Sequence, residues 1–426
     1  MDQEKENVLV VGAGWAGLSA AVSLSAAGFK VTVLEAAPKA GGRARKISCL
    51  NENLDNGQHL LMGAYQKTLT LLKKLNILES HLFHRMPFNY YGIDRQNPQK
   101  KIQFNRSFFK MKGFSWQEYL QIARFLGIIS RYRVERKIID ESVYDFLIKN
   151  NQSLSLIKKL WEPLALAALS TPIENASIVL FLNALKTVFE KKRNSDWLIP
   201  KGDLSEILPN PAIDYLNKHQ GAILTHQRVL KLMLEEGRCV GVVTPTKTFR
   251  AKNIVLATPP SVTHDLLKAI NHPFPTFEYQ PITTVYLQYK VPVSLPYPMI
   301  SLINAKAQWL FDRSLTGQPN ILSIVMSGDG PHRRLRADTL VEELLQEVKG
   351  IFPRLSSPVD SRVICEKKGA FQADIGIREK RPGVETRIPG LWLAGDYTNT
   401  PYPATLEGAV YSGIKVFEAI SLRTCA

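Results

Sequence analysis

Two groups of residues in this 426-residue chain have types and spacing that can do chemistry. The first is Gly12-Ala13-Gly14-Trp15-Ala16-Gly17 with Glu35 beyond it. Glycines at this spacing allow a tight turn after a strand (Gly12), a close backbone approach to a pyrophosphate (Gly14) and close helix–strand packing (Gly17). A helix starting there presents unpaired N–H groups and a partial positive charge to phosphate. A carboxylate closing the next strand can hold both hydroxyls of a ribose, and it repels a 2′-phosphate. The second group is Asp55-Asn56-Gly57-Gln58-His59. Here a turn leads into an amide and an imidazole that can move a proton near neutral pH. His59 reads equally as a catalytic group or a satisfied structural histidine, and Asp55 reads as a turn or packing residue.

The elements around the first group must form a strand, a turn, a helix and a second strand. Asn7–Val11 is a β-branched run of the kind a buried parallel strand shows. Leu18, Ala21, Val22 and Leu24 follow at near-helical spacing, Gly28 can cap the helix, and Lys30–Leu34 is a strand closed by Glu35. The same stretch is no membrane span, because glycines, serines, Lys30 and Glu35 interrupt it, and its acidic start is wrong for a secretory signal. The motif alone leaves NAD and FAD both open.

Two later stretches read as parts of the same domain. From Ala222 to Pro260 a strand runs to Leu234, turns at Glu236-Gly237 and returns as Cys239–Thr244. A short strand then leads to the buried Asn253–Ala257. From 388 to 426, "GLWLAGDYT" is a buried strand ending in Gly395-Asp396, and "TLEGAVYSGIKVFEAI" opens a helix. The expected nucleotide-binding domain is therefore discontinuous: 1–80, 205–260 and 388–426. Residues 81–204, expected to be mostly helical and aromatic, and 261–387, expected to mix strands with a helix near "ADTLVEELLQEVKGIF", form a substrate or lid domain.

Hydrophobic content of 45% and charged content of 22% fit an ordinary globular chain with a large core. Cys49, Cys239, Cys365 and Cys425 lie far apart with no C-x-x-C. This argues against a disulfide framework, an iron–sulfur cluster or a metal site, and suits a reducing cytosol. The net charge of +16 points to an anionic partner. No nucleic-acid motif is present, so lipid headgroups are favoured over nucleic acid, with plain compositional drift as the bland alternative. Arg106–Lys137, rich in Lys, Arg and aromatics, reads as an interfacial membrane contact or as a helix packing on the core. Trp161–Pro172 reads as a buried helix, lining a substrate tunnel or simply filling the core.

With "GGRAR" at Gly41–Arg45, the terminal Gly395-Asp396 and "LEGAVYSG", the whole chain resembles the superfamily of FAD-dependent amine oxidases and carotenoid desaturases. "LDNGQHLLMGAY" at Leu54–Tyr65 and "GAGWAGLSAA" are similar to its hydroxysqualene dehydroxylase branch, the squalene-associated FAD-dependent desaturases. The resemblance implies an α/β fold: a Rossmann-like FAD-binding domain of the amine oxidase/phytoene desaturase type with an interleaved mixed α+β substrate domain. It implies FAD held by Gly12, Gly14, Trp15, Ala16, Gly17, Glu35 and Ala36 at the first turn, and by Gly42, Arg43 and Arg45 at the phosphates. Further contacts would come from Gly57, Gln58, Val229 (backbone to adenine), Gly395, Asp396 (ribityl hydroxyl), Leu406 and Glu407 (helix start beneath the flavin).

The implied reaction is reductive dehydroxylation of hydroxysqualene to squalene on the way to hopanoids. Hydride would pass from N5 of reduced flavin to an allylic carbon, with His59 as the candidate proton donor. It also implies handover from upstream squalene-pathway synthases and a cytoplasmic protein held peripherally on the inner membrane. Other readings are an oxidative carotenoid-type desaturase, an amine oxidase with two facing aromatics (Tyr397 and Trp392 being candidates), and a flavin-free prenyl-binding escort. No second dinucleotide fingerprint identifies the electron donor.

Overall fold

A computed structural model of the chain describes residues 6–106, 110–133 and 138–424. Parallel strands covered on both faces read as unbroken apolar runs, and three such runs form the middle of one sheet. Lys30–Leu34, Asn7–Val11 and Asn253–Leu256 lie side by side, flanked by Ala222–Leu224 and Leu391–Leu393, all parallel. Val10 pairs with Val33 on one side and Val255 on the other. The helices Trp15–Ala26 and Leu406–Thr424 lie against each other, and Ser19 Oγ reaches the Val410 carbonyl at 3.2 Å. Gly28, at φ 92°, ends the first helix, and Phe29 N–H closes back onto the Leu24 carbonyl at 3.2 Å.

The meander Lys231–Glu235, Arg238–Val243 and Thr248–Arg250 is antiparallel and packs Leu232, Cys239 and Val242 onto Leu9 and Val11. Its first strand begins after Val229, which lies buried in the chain leading into it.

A seven-stranded sheet forms the second body, in the order Asp360–Phe371, Tyr279–Gln288, Ile321–Ser327, Trp309–Asp312, Met299–Ile303, Asn89–Asp94, Asn97–Asn105. Only Met299–Ile303 and Asn89–Asp94 pair in parallel. The mostly helical reading of 81–204 is therefore corrected at both ends. Phe83–Met86, Asn89–Asp94, Asn97–Asn105 and Trp197–Pro200 are strands. Period-two alternation explains it: Tyr90 and Phe104 enter the core beneath the helices, while Tyr91 and Ile93 enter the core beneath the helix Ala337–Ile351. The sheet is thus a middle layer covered on both sides. Among the covering helices are Trp116–Arg131, Val143–Lys149, Glu162–Leu169 and Ile178–Glu190. No helix among the described residues is long and apolar enough to cross a membrane.

Candidate active site

The first helix begins at Trp15 with Gly14 as its cap and no side chain satisfying its leading N–H groups, so those donors are free for an anion. A Cβ at Gly17 would sit 2.0 Å from the Gly12 oxygen, whereas at Gly14 the nearest atom would be 3.9 Å away. Gly17 is glycine for packing and Gly14 for access. Gly41 N–H donates to the Ala13 carbonyl (2.8 Å) and Trp15 Nε1 to the Ala44 carbonyl (3.3 Å). The second glycine loop is thereby strapped along the helix start, and the Trp15 ring is the strap, leaving its backbone and that of Ala16 to face a ligand.

Glu35 accepts from Ala13 N–H at 2.7 Å and Ala37 N–H at 2.8 Å, one on each oxygen. Each oxygen keeps a lone pair, which matches the two hydroxyls of a ribose. Ala36 is exposed beside it. Gln227 N–H donates to the Glu35 carbonyl at 2.8 Å, which brings Val229 to the same end.

At the other end, Gly395-Asp396 follows the strand Leu391–Leu393. Arg43 donates to Asp396 Oδ2 at 2.7 Å and to the Gly369 carbonyl at 2.8 Å, and the carboxylate raises the guanidinium pKa. Two residues expected to contact different parts of one cofactor thus pair with each other. Arg45 donates to the Gly42 carbonyl and so stiffens the glycine loop rather than reaching out as a phosphate clamp.

Glu407 is fully buried, and its carboxylate accepts from Lys67 N–H (2.7 Å), Thr68 N–H (3.0 Å) and Thr68 Oγ1 (2.7 Å). It caps the helix Gln66–Lys74, whose own Tyr65 supplies no side-chain cap. Its side chain is therefore an anchor between helices, and what it and Leu406 offer a cofactor is helix-start backbone.

Arg381 was not legible in the sequence. Buried, it donates to the carbonyls of Asp396 (2.7 Å), Thr400 (3.0 Å) and Tyr402 (2.7 Å), and shapes the loop between Asp396 and the last helix. In sequence it is one of several basic residues in a polar loop, and no motif marks it.

Asp55 ends the strand Glu52–Asp55, and Asn56-Gly57 bend away from it. Asp55 is buried and accepts from Leu204 N–H at 2.8 Å; burial pushes its carboxyl up to about 6. His59 Nδ1 lies 2.8 Å from the Gly57 carbonyl. A carbonyl only accepts, so Nδ1 carries the proton and Nε2 of the neutral ring is an acceptor. Burial holds the imidazole pKa below its ordinary value. With Nδ1 so engaged, the neutral ring offers an acceptor at Nε2, and it donates there only once charged. The Gln58 side chain is turned onto Arg313 and Ser323, so Gln58 offers a cofactor its backbone only.

A family model described as flavin containing amine oxidoreductase matches residues 15–420. The chain belongs to this family. A hydroxysqualene dehydroxylase of Sinorhizobium fredii is 27% identical, with 96% of each chain covered. One of Rhodopseudomonas palustris is 28% identical over 97% of this chain and 98% of its own. A probable zeta-carotene desaturase of Synechococcus elongatus is 24% identical over 97% and 98%. A solved oxidoreductase of Methanosarcina mazei superposes with a TM-score of 0.75 at 19% identity, covering 97% of this chain and all of its own.

As a member of this family the chain is an FAD-dependent oxidoreductase, and its residues fit that cofactor. Gly14 leaves an open approach at a helix start, Glu35 has a spare lone pair on each oxygen, and Asp396 Oδ1 has no donor among the described residues. Trp392 is no part of an aromatic cage: it is a core strand residue whose Nε1 donates to Asn253 at 2.9 Å. Tyr397 packs against Phe274 and Phe277, with ring centres 5.7 and 5.8 Å away.

Half-buried Leu60, Met62, Ile282, Phe311 and Ala404 pack on the same large core, giving an apolar margin that includes the residue next to His59. A cleft of about 670 Å³, lined by Glu79, His84, Arg85 and Asp312 together with Phe83, Met86, Leu295 and Leu315, shares no residue with the cradle. Trp161 is wholly buried and donates to Gln152 at 2.9 Å, so the start of the Trp161–Pro172 stretch is core.

Proposed function

We propose that the enzyme removes the hydroxyl of hydroxysqualene reductively to give squalene. Segments 1–80, 205–260 and 388–426 would hold the cofactor, and 81–204 and 261–387 would cover it. The observation that carries this reading is the near full-length likeness to hydroxysqualene dehydroxylases, together with an apolar margin next to a lone imidazole acceptor. Reduced FAD, when bound, supplies the hydride that replaces the hydroxyl at the allylic carbon.

The chain's own task is the leaving group. Hydroxyl departs poorly unless it is protonated. Neutral His59 accepts the alcohol O–H at Nε2 and so orients the C–O bond. Once the ring is charged, Nε2–H points at the same oxygen, and its proton leaves with that oxygen as water. Burial makes the imidazolium a stronger acid than a solvated one. Glu35 and Asp396 would hold hydroxyls of the cofactor, and Leu60, Met62, Ile282, Phe311 and Ala404 would help keep water from the reacting carbon.

Likeness to the carotene desaturase keeps oxidative desaturation as the second reading. Anaerobic incubation with reduced flavin and hydroxysqualene, followed by product analysis, separates the two. Squalene is expected; unreacted alcohol alongside desaturation of a carotene precursor by the oxidised enzyme would reject the proposal.

We also propose peripheral contact with an anionic membrane, through less of Arg106–Lys137 than the sequence offers. Ile122, Phe125 and Ile129 of the helix Trp116–Arg131 are spent on the core, and Arg106 is tied to the Phe189 and Lys191 carbonyls. Residues 107–109 and 134–137 lie outside the described residues. What remains exposed includes Trp116, at 70%, and Leu120, with Lys110, Lys112, Arg124, Arg131 and Arg133 as the cations. W116E should weaken co-sedimentation with phosphatidylglycerol vesicles severalfold; unchanged binding would remove this helix from the contact.

A further inference from the structure

Resting on the reading of His59 above, we propose that Arg313 is a positioning residue that holds Gln58 and, through it, the ring of His59. Arg313 follows the strand Trp309–Asp312 in the covering body, yet its guanidinium is 1% exposed and is turned onto the Asp55–His59 loop. Nη1 donates to Gln58 Oε1, Nε donates to Gln318 Oε1 at 2.6 Å, and Nη2 lies 3.7 Å from Asp55 Oδ2. The cation stands 5.5 Å from the centre of the Tyr286 ring, whose hydroxyl donates to the Asp55 carbonyl at 3.0 Å. Gln318 in turn donates to the Asn53 carbonyl at 2.6 Å, and Ser323 Oγ to Gln58 Oε1 at 3.2 Å. The guanidinium therefore hydrogen-bonds Gln58 on one side of Asn56-Gly57 and lies at ion-pair distance, without a hydrogen bond, from Asp55 on the other.

The link to His59 is short. Gln58 Nε2 donates to the His59 carbonyl at 3.3 Å, and the Gly57 carbonyl on the other side receives the Nδ1 proton at 2.8 Å. The bend has no regular hydrogen-bonded structure of its own, so external contacts decide where the Gly57 carbonyl points. A guanidinium suits this task because its donors are fixed in one plane, which an ammonium cannot imitate. For stability alone, a well-packed apolar side chain would serve as well as a buried charge. The contacts of Arg313 instead converge on the loop that carries the imidazole.

The test reads the imidazole directly, without substrate. Protein labelled with ¹⁵N-histidine, its His59 signal assigned with H59Q, is expected to show the Nδ1-protonated ring. R313M and Q58L should each convert it to a mixture of tautomers. Each should also lower the single-turnover rate roughly tenfold to a hundredfold with KM held within about twofold, and R313K should restore part of both. If R313M does not fold, Q58L reads the same link from its other end. A folded variant that keeps the wild-type tautomer overturns the proposal. Loss of the tautomer with an unchanged rate supports the positioning and instead rejects a role for His59 in the reaction.

Discussion

The ring of His59 has one nitrogen committed to the Gly57 carbonyl and one left as an acceptor, and burial disfavours its charge. If its cation protonates the leaving hydroxyl, the charged fraction falls about tenfold for each pH unit above the depressed pKa. The single-turnover rate should therefore climb as the pH is lowered toward that value and then level off. H59Q should lose roughly 10²–10⁴-fold and the slope with it; a variant that keeps wild-type rates removes the residue from the chemistry.

Asp55 makes a different pH argument. Burial raises its folded pKa to about 6, above the unfolded value, so the folded chain binds more protons across the window between them. Stability from this group is then greatest at low pH and is lost as the pH rises through about 6. Urea unfolding of wild type and D55N at both ends of that window should show the slope in the first and a flatter line in the second. Equal slopes would mean that the Asp55–Arg313 pair compensates fully.

At the scale of elements, the helix Trp116–Arg131 is fixed by a capping box in which Ser115 and Glu118 exchange hydrogen bonds. Glu118 also takes Lys159 Nζ at 2.6 Å, with both side chains 8% exposed. Burial opposes its ionisation, but the bonds from Lys159 and Ser115 outweigh it and hold the carboxyl below its ordinary range. Removing one partner strands the other: K159M should cost about 3 kcal/mol or more, and E118Q/K159M should recover much of that in denaturant titration. Losses in the double variant equal to the sum of those in E118Q and K159M would show that the pair does not couple this helix to Ile157–Trp161, the segment that carries Lys159. Glu407 does a similar job between the last helix and Gln66–Lys74. Its carboxylate thus ties the start of the last helix to Gln66–Lys74, while its backbone stays at the helix start.

For the molecule as a whole, the cradle is assembled from pieces remote in sequence: Gly14 and Glu35, the Val229 segment beside Glu35, and Asp396 held by Arg43 and Arg381. A ligand that bridges such pieces stabilises the native state by mass action, about 2.7 kcal/mol at a hundredfold excess over Kd. The thermal midpoint of the apoprotein should rise steadily with the logarithm of FAD concentration. A midpoint indifferent to FAD would mean that the three segments do not share it.

The amino-acid sequence by itself determined the strand–turn–helix cradle, its glycines, the closing Glu35 and the terminal Gly-Asp helix. Those signals are local: each depends on backbone freedom, or on a side chain a few residues from its partner. Arg43 and Glu407 were legible as residues but not in their bonds, because their partners lie hundreds of positions away. Arg313 and Arg381 were not legible at all. An arginine in a polar loop looks solvated until the fold closes over it, and only the tertiary structure brought Asp55 and Gln58 within reach of the one and the Asp396–Tyr402 carbonyls within reach of the other. The strands at 89–105 were missed for a related reason. Both faces of that sheet are buried, so Tyr90 and Tyr91 are apolar neighbours in sequence, and the period that separates them appears only when each is assigned its own core.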